Sequence, residues 1–415
     1  MARSPSILSK WFAARLSVAA GAAPVRFVLW DGTEVVSPQT PAKSTVLIRE
    51  GCSLHKFLLD PELYFGDGYA EGWIEVEGDL VDTLAQIYCA SYDRLQSRRV
   101  SAFLAEWLTR TQGNSLRGSQ RNIHRHYDLD ASFFRLWLDS RLVYTCAYFA
   151  SPDDSLENAQ MAKMDYVCRK VRLRQGETVV EAGCGWGALA LHMARHCGAV
   201  VKAFNISHDQ IAYAREWAVR EGLQGQVEFI EDDYRNVSGK YDAFVSVGML
   251  EHVGRDRYRE LGNVIHRSLA DGGRGLLHFI GRNHQRPLSS WIRRRIFPGA
   301  YPPTLREAME VFEPRDLAVL DVENLRLHYA LTLEHWLARY RNAEEQVIRK
   351  FGAEFARGWR LYLAGSAAAF RSGSLQLFQV SFSRRGDDRV PWTRRYLYQP
   401  DGQADGEVAW IVPTS

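Results

Sequence analysis

Short strand-like runs alternate with longer amphipathic stretches through most of the chain after residue 120. Residues 178–182 form the first such run, and residues 188–196 follow it with the apolar spacing of a helix. This alternation is typical of a parallel sheet that helices cover on both faces. The pattern therefore predicts an α/β fold. The other predicted elements are strands at 199–204, 226–230, 241–247, 274–279, 317–322 and 375–383, and a helix at 208–221.

The last predicted strand, 375–383, has a different pattern from the strands before it. Phe378 and Val380 alternate with the more polar Gln379 and Ser381. Such a period of two is typical of a strand with unlike faces, whereas central parallel strands are almost continuously apolar. We therefore predict a mostly parallel sheet with an antiparallel strand at its edge.

The first 110 residues show shorter alternating runs and predict a small α+β domain. Residues 25–30 are predicted to form a strand that ends in the turn Asp31-Gly32, and residues 44–49 another strand. The predicted helices of this part are an amphipathic opening helix at 11–23 and helices at 54–60 and 80–95.

A polar stretch at 111–120 lacks any apolar period, and we interpret it as a linker between two domains. The predicted organisation is an N-terminal domain at 1–110, the linker at 111–120, a catalytic domain at 121–385 and a polar tail at 386–415.

Composition and charge exclude several classes of protein. Of the 415 residues, 46% are hydrophobic and 24% charged, and the net charge of +3 is too small for a typical nucleic-acid-binding surface. The 6 cysteines are scattered, which favours reduced thiols in the cytoplasm over a disulfide framework. No run reaches the roughly 18–20 apolar residues of a spanning helix, so any contact with a membrane is expected to be peripheral.

Gly183, Gly185 and Gly187 follow the strand at 178–182 directly and precede a predicted helix. Alternate glycines let the backbone turn sharply and approach a ligand, and a helix N-terminus offers free N–H groups to an anion. The GxGxG spacing differs from the GxGxxG of dinucleotide-binding folds. The loop predicts a site for a carboxylate or phosphate, although a tight turn without ligand is the alternative when the loop is taken alone.

Acidic residues near these strands favour S-adenosylmethionine (SAM) over a nicotinamide cofactor. The second strand of the sheet ends at Asn205, without the acid that holds the ribose of NAD. Glu181 lies two positions before Gly183, where SAM enzymes place an acid at the end of the first strand. Asp232 and Asp233 follow the third strand, in position to bind an adenine amino group or to serve merely as solvated caps.

Six motifs occur in a fixed order along the chain. They are Tyr144-Thr145-Cys146-Ala147-Tyr148-Phe149, Glu181-Ala182-Gly183-Cys184-Gly185-Trp186-Gly187, Asp233-Tyr234-Arg235, Gly248-Met249-Leu250-Glu251-His252-Val253-Gly254, His278-Phe279-Ile280-Gly281 and Ile296-Phe297-Pro298. Together they resemble the cyclopropane-fatty-acyl-phospholipid synthase family, and the similarity extends from Gly66 to about Ser383. That family is related to synthases that cyclopropanate or methyl-branch acyl chains on other carriers.

The resemblance implies a SAM site on a Rossmann-like methyltransferase domain. Tyr144 and Thr145, with the glycine loop, would hold the methionine end of SAM. The residues that would replace the missing ribose acid are Asn205, Ser207 and Gln210. Asp233 and Tyr234 would frame the adenine.

The resemblance also implies that bound bicarbonate is the catalytic base. The positions that match its binding residues are Cys146, Glu251, His278 and Tyr329, with Ile280 in the same pocket. Taken singly, each has an ordinary alternative, such as a buried thiol, a helix cap or a packed ring. One residue departs from the family, because Asp130 stands where a glycine usually follows His-Tyr-Asp-Leu. The histidine pairs elsewhere lack further ligands, and no metal site is expected.

The expected substrate is an unsaturated acyl chain of a phospholipid at a membrane surface. An insertion at 282–312 interleaves arginines with large apolar residues, a pattern that suits a lipid surface but also a solvated basic helix. The first domain resembles the lipid-binding module of bacterial family members. The alternatives are methyl branching without ring closure and a catalytically silent lipid-binding protein. No nucleic-acid partner is expected, and a homodimer remains an option.

Overall fold

The structure is a computed structural model that describes residues 23–36, 41–49, 59–97, 129–387 and 389–398, with a few helical positions between 9 and 16. The predicted linker lies outside the described residues. The opening helix and the helix predicted at 54–60 lie largely outside them.

The described residues contain a seven-stranded sheet with the order β10-β11-β9-β8-β5-β6-β7. The strands from β9 to β7 are parallel, and β11 runs antiparallel to β9. The predicted α/β fold is therefore confirmed. The strands are β5 (Thr178–Ala182), β6 (Val200–Asn205), β7 (Val227–Glu231), β8 (Tyr241–Val247), β9 (Leu269–Gly281), β10 (Leu317–Asn324) and β11 (Gln376–Arg384).

The position of β11 differs from the prediction. It is antiparallel, as predicted, but β10 pairs along its outer side and forms the edge of the sheet. The polar Gln379 and Ser381 that suggested an exposed face are both buried. The alternation therefore marks a buried polar face, while β10, with half of its residues exposed, forms the solvent-facing edge.

Helices cover both faces of this sheet because neighbouring positions of each strand point to opposite sides. Val179 packs with α4, α5 and α6, whereas Val180 packs with α8. The helices of this part are α3 (Ala131–Phe134), α4 (Leu156–Lys170), α5 (Ala188–Cys197), α6 (His208–Arg220), α7 (Leu250–Val253), α8 (Tyr258–Ser268), α9 (Leu305–Ala308), α10 (Arg326–Phe351) and α11 (Ala353–Arg371).

A small module, which we define as residues 25–97, precedes the large sheet. Its described strands form a second sheet in the order β2-β1-β3-β4, and the predicted hairpin at Asp31-Gly32 joins β1 to β2. Its elements are β1 (Val25–Val28), β2 (Glu34–Val35), β3 (Ser44–Ile48), α1 (Pro61–Glu71), β4 (Ile74–Glu77) and α2 (Leu80–Ser97).

The small module shares one hydrophobic core with the long helices α10 and α11. Arg357 of α11 donates from Nε to the carbonyl of Tyr69 on α1 over 2.7 Å. Arg371, at the end of α11, pairs with Asp82 of α2 at 2.7 Å. These contacts join the module to the second half of the chain.

Candidate functional site

A cleft of about 1190 Å³, counting its open mouth, lies at the carboxyl ends of β5, β6 and β8. This is the edge where open α/β sheets bind ligands. Most residues of the predicted SAM site line the cleft. They are Tyr144, Thr145, Glu181, Gly183, Gly185, Asn205, Gln210, Asp233 and Tyr234.

The three loop glycines have different surroundings, although all have positive φ angles. A Cβ atom at Gly185 would meet nothing within 4 Å, so this residue faces open space in the cleft. A Cβ at Gly183 would lie 3.2 Å from Met249. Gly187 does not line the cleft. A Cβ atom there would lie 2.7 Å from the ring of Phe229. Gly185 is therefore positioned for close approach of a ligand, and Gly187 for packing of the helix against the sheet.

Glu181 provides a buried acceptor on the cleft wall. Only 2% of the residue is exposed, and its Oε2 atom has no hydrogen-bond partner among the described residues. Burial raises the pKa of Glu181 to about 8, while the positive charge of Lys163 acts in the opposite direction. An unsatisfied carboxylate oxygen fits the ammonium group of a bound methionine moiety.

Asn205 and Gln210 form the wall where a ribose is expected. The Asn205 amide donates to Oε1 of Gln210 over 2.7 Å and to the carbonyl of Gly185 over 3.3 Å. It thereby connects the end of β6 to the glycine loop. Ser207, at the start of α6, is buried but does not line the cleft.

Asp233 has an ionic partner that sequence analysis did not predict. The guanidinium group of Arg235 donates to both oxygens of Asp233, at 2.7 and 2.9 Å. The adjacent Tyr234 is buried and has a hydroxyl without a partner among the described residues. A carboxylate has further lone pairs, so Asp233 can still accept from an adenine amino group.

Tyr144 and Thr145 contact helices from distant parts of the chain. The Tyr144 hydroxyl lies 2.7 Å from the hydroxyl of Tyr362 on α11. The Nζ atom of Lys163 on α4 donates to Oγ1 of Thr145 over 3.1 Å. The structure thus brings α4 and α11 to this end of the cleft.

Glu251, His278 and Ile280 form one cluster of the predicted anion site. The backbone N–H of Ile280 donates to Oε1 of Glu251 over 2.7 Å, while Oε2 is buried and has no hydrogen-bond partner among the described residues. Burial raises the pKa of Glu251 to about 7. The amide of Gln379 on β11 donates to Nδ1 of His278 over 2.9 Å. In the neutral imidazole the proton then lies on Nε2, because burial keeps the pKa of His278 well below its usual value.

Cys146 and Tyr329, of which Tyr329 lies on α10, belong to a second cluster within the hydrophobic core against which Ile280 also packs. The thiol of Cys146 donates to the carbonyl of Ala147, and burial raises its pKa. The N–H of Ala147 donates to the hydroxyl of Thr332, one turn after Tyr329. The Tyr329 ring packs on Phe370, with ring centroids 4.6 Å apart. Cys146 is therefore a neutral thiol and not an activated nucleophile.

Sequence analysis missed three polar residues of this region. Lys163 lines the SAM cleft, Gln379 orients His278, and Thr332 contacts the Cys146 segment. Only Lys163 had a usable signal, because it shares the apolar face of α4 with Met164 and Val167. Gln379 and Thr332 gain their partners only through long-range packing.

The basic insertion contacts the small module. Arg295 pairs with Asp67 of α1 at 2.8 Å, and Arg294 lies 3.8 Å from Asp60 at the start of that helix. Trp291 is buried against the same helix at Gly66. Two of the arginines predicted to face lipid phosphates are thus partnered by carboxylates.

Asp130, the departure from the family pattern, begins α3. Its Oδ1 atom accepts from the N–H of Phe133 over 3.0 Å, and its other oxygen pairs with Lys350 at the end of α10. A glycine here would provide neither contact. The substitution therefore caps a helix, and Asp130 is not among the residues that line the cleft.

A parallel sheet, a GxGxG turn and a buried acid at the end of the first strand define a SAM-dependent methyltransferase, and comparisons with known proteins agree. Residues 114–380 match the family described as mycolic acid cyclopropane synthetase. The chain belongs to this family. Residues 14–98 match a domain of unknown function.

Named relatives cover nearly the whole chain. A probable fatty acid methyltransferase of Pseudomonas putida is 33% identical over 91% of this chain and 96% of its own length. The cyclopropane-fatty-acyl-phospholipid synthase of Escherichia coli K12 is 32% identical over 83% of this chain and 88% of its own.

A solved structure supports the fold and the co-substrate. Mycolic acid cyclopropane synthase CmaA1, complexed with S-adenosylhomocysteine (SAH) and CTAB, is 30% identical with a TM-score of 0.61. The match covers 64% of this chain and 98% of that chain. The fold class and the SAM-dependent activity predicted from sequence are thus confirmed.

Proposed function

We propose that the protein transfers a methylene group from SAM to the double bond of an unsaturated phospholipid acyl chain, forming a cyclopropane ring. The observation that carries this proposal is the buried, unpartnered oxygen of Glu251, whose other oxygen binds the backbone of Ile280 on the strand that also carries the oriented ring of His278. Closure of the ring needs a group that accepts the proton released from the new methyl group. The similarity to a cyclopropane-fatty-acyl-phospholipid synthase supports the choice of lipid.

The first step joins the alkene to the SAM methyl carbon. The π electrons form the new C–C bond, and the S–CH₃ bond breaks with its electron pair remaining on sulfur, which yields SAH. A carbocation is left on the other alkene carbon. Because an alkene is a weak nucleophile, the site must hold the two reactants in close contact and exclude water.

Ring closure then requires a base beside the new methyl group. A C–H bond of that methyl breaks, its electron pair closes the ring on the cationic carbon, and a base takes the proton. Bicarbonate, held by His278, Cys146 and Tyr329, would supply this base, and Glu251 in its ionised form would take the proton on. A pKa near 7 suits such a relay, since the group must both take up and release a proton.

The neighbouring groups suit a bound anion and not covalent catalysis. In our proposal, Nε2–H of His278 would donate to a bound bicarbonate, and the hydroxyl of Tyr329 would hold it as well. The neutral thiol of Cys146 would join them by turning away from the carbonyl of Ala147. The positive charge of Lys163 influences both Cys146 and His278, which links the two clusters electrostatically. The positive charge of Lys163 near these hydrogen-bond donors stabilises a small bound anion.

We further propose that the protein works in the cytoplasm and reaches its substrate by peripheral contact with the membrane. None of the helices in the described ranges combines the length and apolar character needed to cross a bilayer. Since Arg294 and Arg295 pair with α1, the rest of the insertion would supply the lipid contact. Co-sedimentation that is equal with neutral and anionic vesicles at low salt would contradict an electrostatic contribution.

Methyl branching without ring closure is the second candidate. The similarity to a probable fatty acid methyltransferase favours it. Both reactions share the first step, and they separate at the fate of the carbocation. The substrate would be the same class of unsaturated acyl lipid.

Product analysis distinguishes the two candidates. Purified protein, SAM and vesicles of an unsaturated phospholipid are incubated, and the acyl chains are examined by mass spectrometry and proton NMR. We expect chains heavier by one methylene unit, without olefinic protons and with upfield cyclopropyl signals. Branched or exomethylene chains would support methyl transfer alone, and an absence of any product would contradict both.

A further inference from the structure

Lys163 is a buried lysine at the inner wall of the SAM cleft. It lies on α4, and 2% of the residue is exposed. Its Nζ atom donates to Oγ1 of Thr145 over 3.1 Å, and the side chain lines the cleft together with Glu181. A buried ammonium group is costly unless charges and hydrogen bonds compensate for its loss of water.

The charges around Lys163 indicate which partner is available to it. The titratable groups that act on it or respond to its charge, from each element packed around it, are Asp139, Cys146, Glu181 and His278. Asp139 already accepts from the backbone N–H groups of Arg141 and Val143, at 3.0 and 2.9 Å. Cys146 and His278 are neutral. Glu181, in contrast, keeps a buried oxygen without a partner among the described residues.

We propose that Lys163 is a positioning residue for the methionine end of SAM, whose buried ammonium balances the Glu181 carboxylate and orients the Thr145 hydroxyl. Glu181 can then accept from the ligand ammonium, and Thr145, its acceptor site occupied by Lys163, donates its proton toward the ligand carboxylate. The inference rests on the proposed SAM site.

The pKa directions agree with this arrangement. Burial lowers the pKa of Lys163 to about 8 and raises that of Glu181 to about 8, while each group opposes the shift of the other. Cys184 also lies near Glu181, and burial raises the pKa of this thiol, so it stays neutral. Removal of Lys163 would therefore leave Glu181 protonated over a wider pH range, and a protonated carboxyl binds an ammonium poorly.

The test compares Lys163→Met with Lys170→Met. Lys170 is a matched control because it is a second buried lysine of α4, paired with Glu323 at 2.6 Å and not among the residues that line the SAM cleft. The dissociation constant of SAH is measured by calorimetry at pH 6.5, 7.5 and 8.5 for the wild type and both variants. SAH carries the methionine end but cannot react.

We expect Lys163→Met to bind SAH about tenfold more weakly than the wild type at pH 6.5 and less than about threefold more weakly at pH 8.5. The difference in SAH affinity between the variant and the wild type narrows as the pH rises. At high pH Glu181 ionises without help from Lys163, and Lys163 of the wild type loses its own charge. Titration of the ligand cancels in this ratio. Lys170→Met should follow the wild type at each pH.

The outcomes separate this inference from the proposed function. A loss of SAH affinity in Lys163→Met that is equal at all three pH values would show that Lys163 has only a structural role, and would overturn the inference. SAH binding by Lys163→Met with the affinity of the wild type would also overturn it. If Lys163→Met does not fold, a deficit of Lys163→Gln relative to the wild type that does not change with pH would overturn it instead. If the wild type itself fails to bind SAH, the SAM site is wrong.

Discussion

At the scale of single residues, Gly185 is the position where a side chain conflicts most directly with the proposed SAM site. Gly185→Val should abolish SAH binding, because the side chain would occupy space that is open to the cleft. The positive φ angle of 53° adds strain of about 1–2 kcal/mol to any substituted residue there. Calorimetry measures binding, and thermal unfolding measures the strain.

Gly222 provides the control for this strain. It also has a positive φ angle, of 68°, with nothing within 4 Å of its Cβ position, and it follows α6 outside the cleft. Gly222→Val should lower stability to a similar degree and bind SAH normally. Binding that survives in Gly185→Val would remove the glycine loop from the site.

Glu251 should be required for turnover but unfavourable for stability. Burial raises its pKa from 4.5 to about 7, so the folded protein holds a proton that the unfolded chain has released. The free energy of unfolding therefore falls as the pH rises from about 4.5 to about 7. Glu251→Gln should raise the free energy of unfolding at pH 8 by up to about 3 kcal/mol, measured by denaturant titration.

The same substitution should reduce turnover far more than SAH affinity, because an amide cannot accept the proton that ring closure releases. Wild-type activity should fall as the pH drops below about 7, where Glu251 becomes protonated. A variant that is less stable at pH 8, or that turns over at the wild-type rate, would contradict the assigned role.

At the scale of elements, helix α1 and the insertion meet at a contact that only glycine permits. A Cβ atom at Gly66 would lie 2.2 Å from the ring of Trp291. Gly66→Ala should therefore destabilise the protein by about 1–3 kcal/mol, since the indole must move. Thermal unfolding of the full chain measures the loss.

Gly358 of α11 is the matched control, because it lies near the same indole. A Cβ there would meet Ala70 at 3.7 Å and Trp291 at 3.9 Å, which are ordinary contacts. Gly358→Ala should be neutral, or stabilising by up to about 1 kcal/mol, because alanine favours the helix. Equal effects of the two substitutions would show that the contact at Gly66 is not tight.

At the scale of the whole molecule, the small module and the large sheet should unfold together. One hydrophobic core extends from Val25 of β1 to Leu377 of β11. We expect a single calorimetric transition, which SAH at 100 times its dissociation constant moves upward by about 3 °C. Two transitions, of which only one responds to SAH, would show that the module folds independently.

The linker predicted at residues 111–120 therefore remains a prediction. We do not expect the two parts of the chain that it separates to unfold independently. Composition located a boundary there, but the linker lies outside the described residues. The shared core joins α1 and α2 to α11 across about 270 positions of sequence. Periodicity in the first 110 residues carries no information about such a partner.

The order of strands and helices was predictable because it depends on local periodicity. The strand Thr178–Ala182, the glycine loop and the helix after it agree with the prediction to within one residue. The placement of β11 was not predictable, because Gln379 and Ser381 look like solvent-facing residues until β10 and the neighbouring helices bury them. Whether a residue is buried depends on the elements that pack against it, and its own side chain does not reveal them.

The sequence by itself determined the class of the protein, since the motifs that identify it are short local stretches that keep their order along the chain. Only the tertiary structure decided how those motifs are charged and oriented. Gln379 sets the proton position on His278, and Arg294 and Arg295 turn from expected lipid contacts into partners of α1. Lys163 donates to Thr145 and lines the cleft together with Glu181. Each of these contacts joins elements that are distant in sequence, and only packing brings such groups within range of one another.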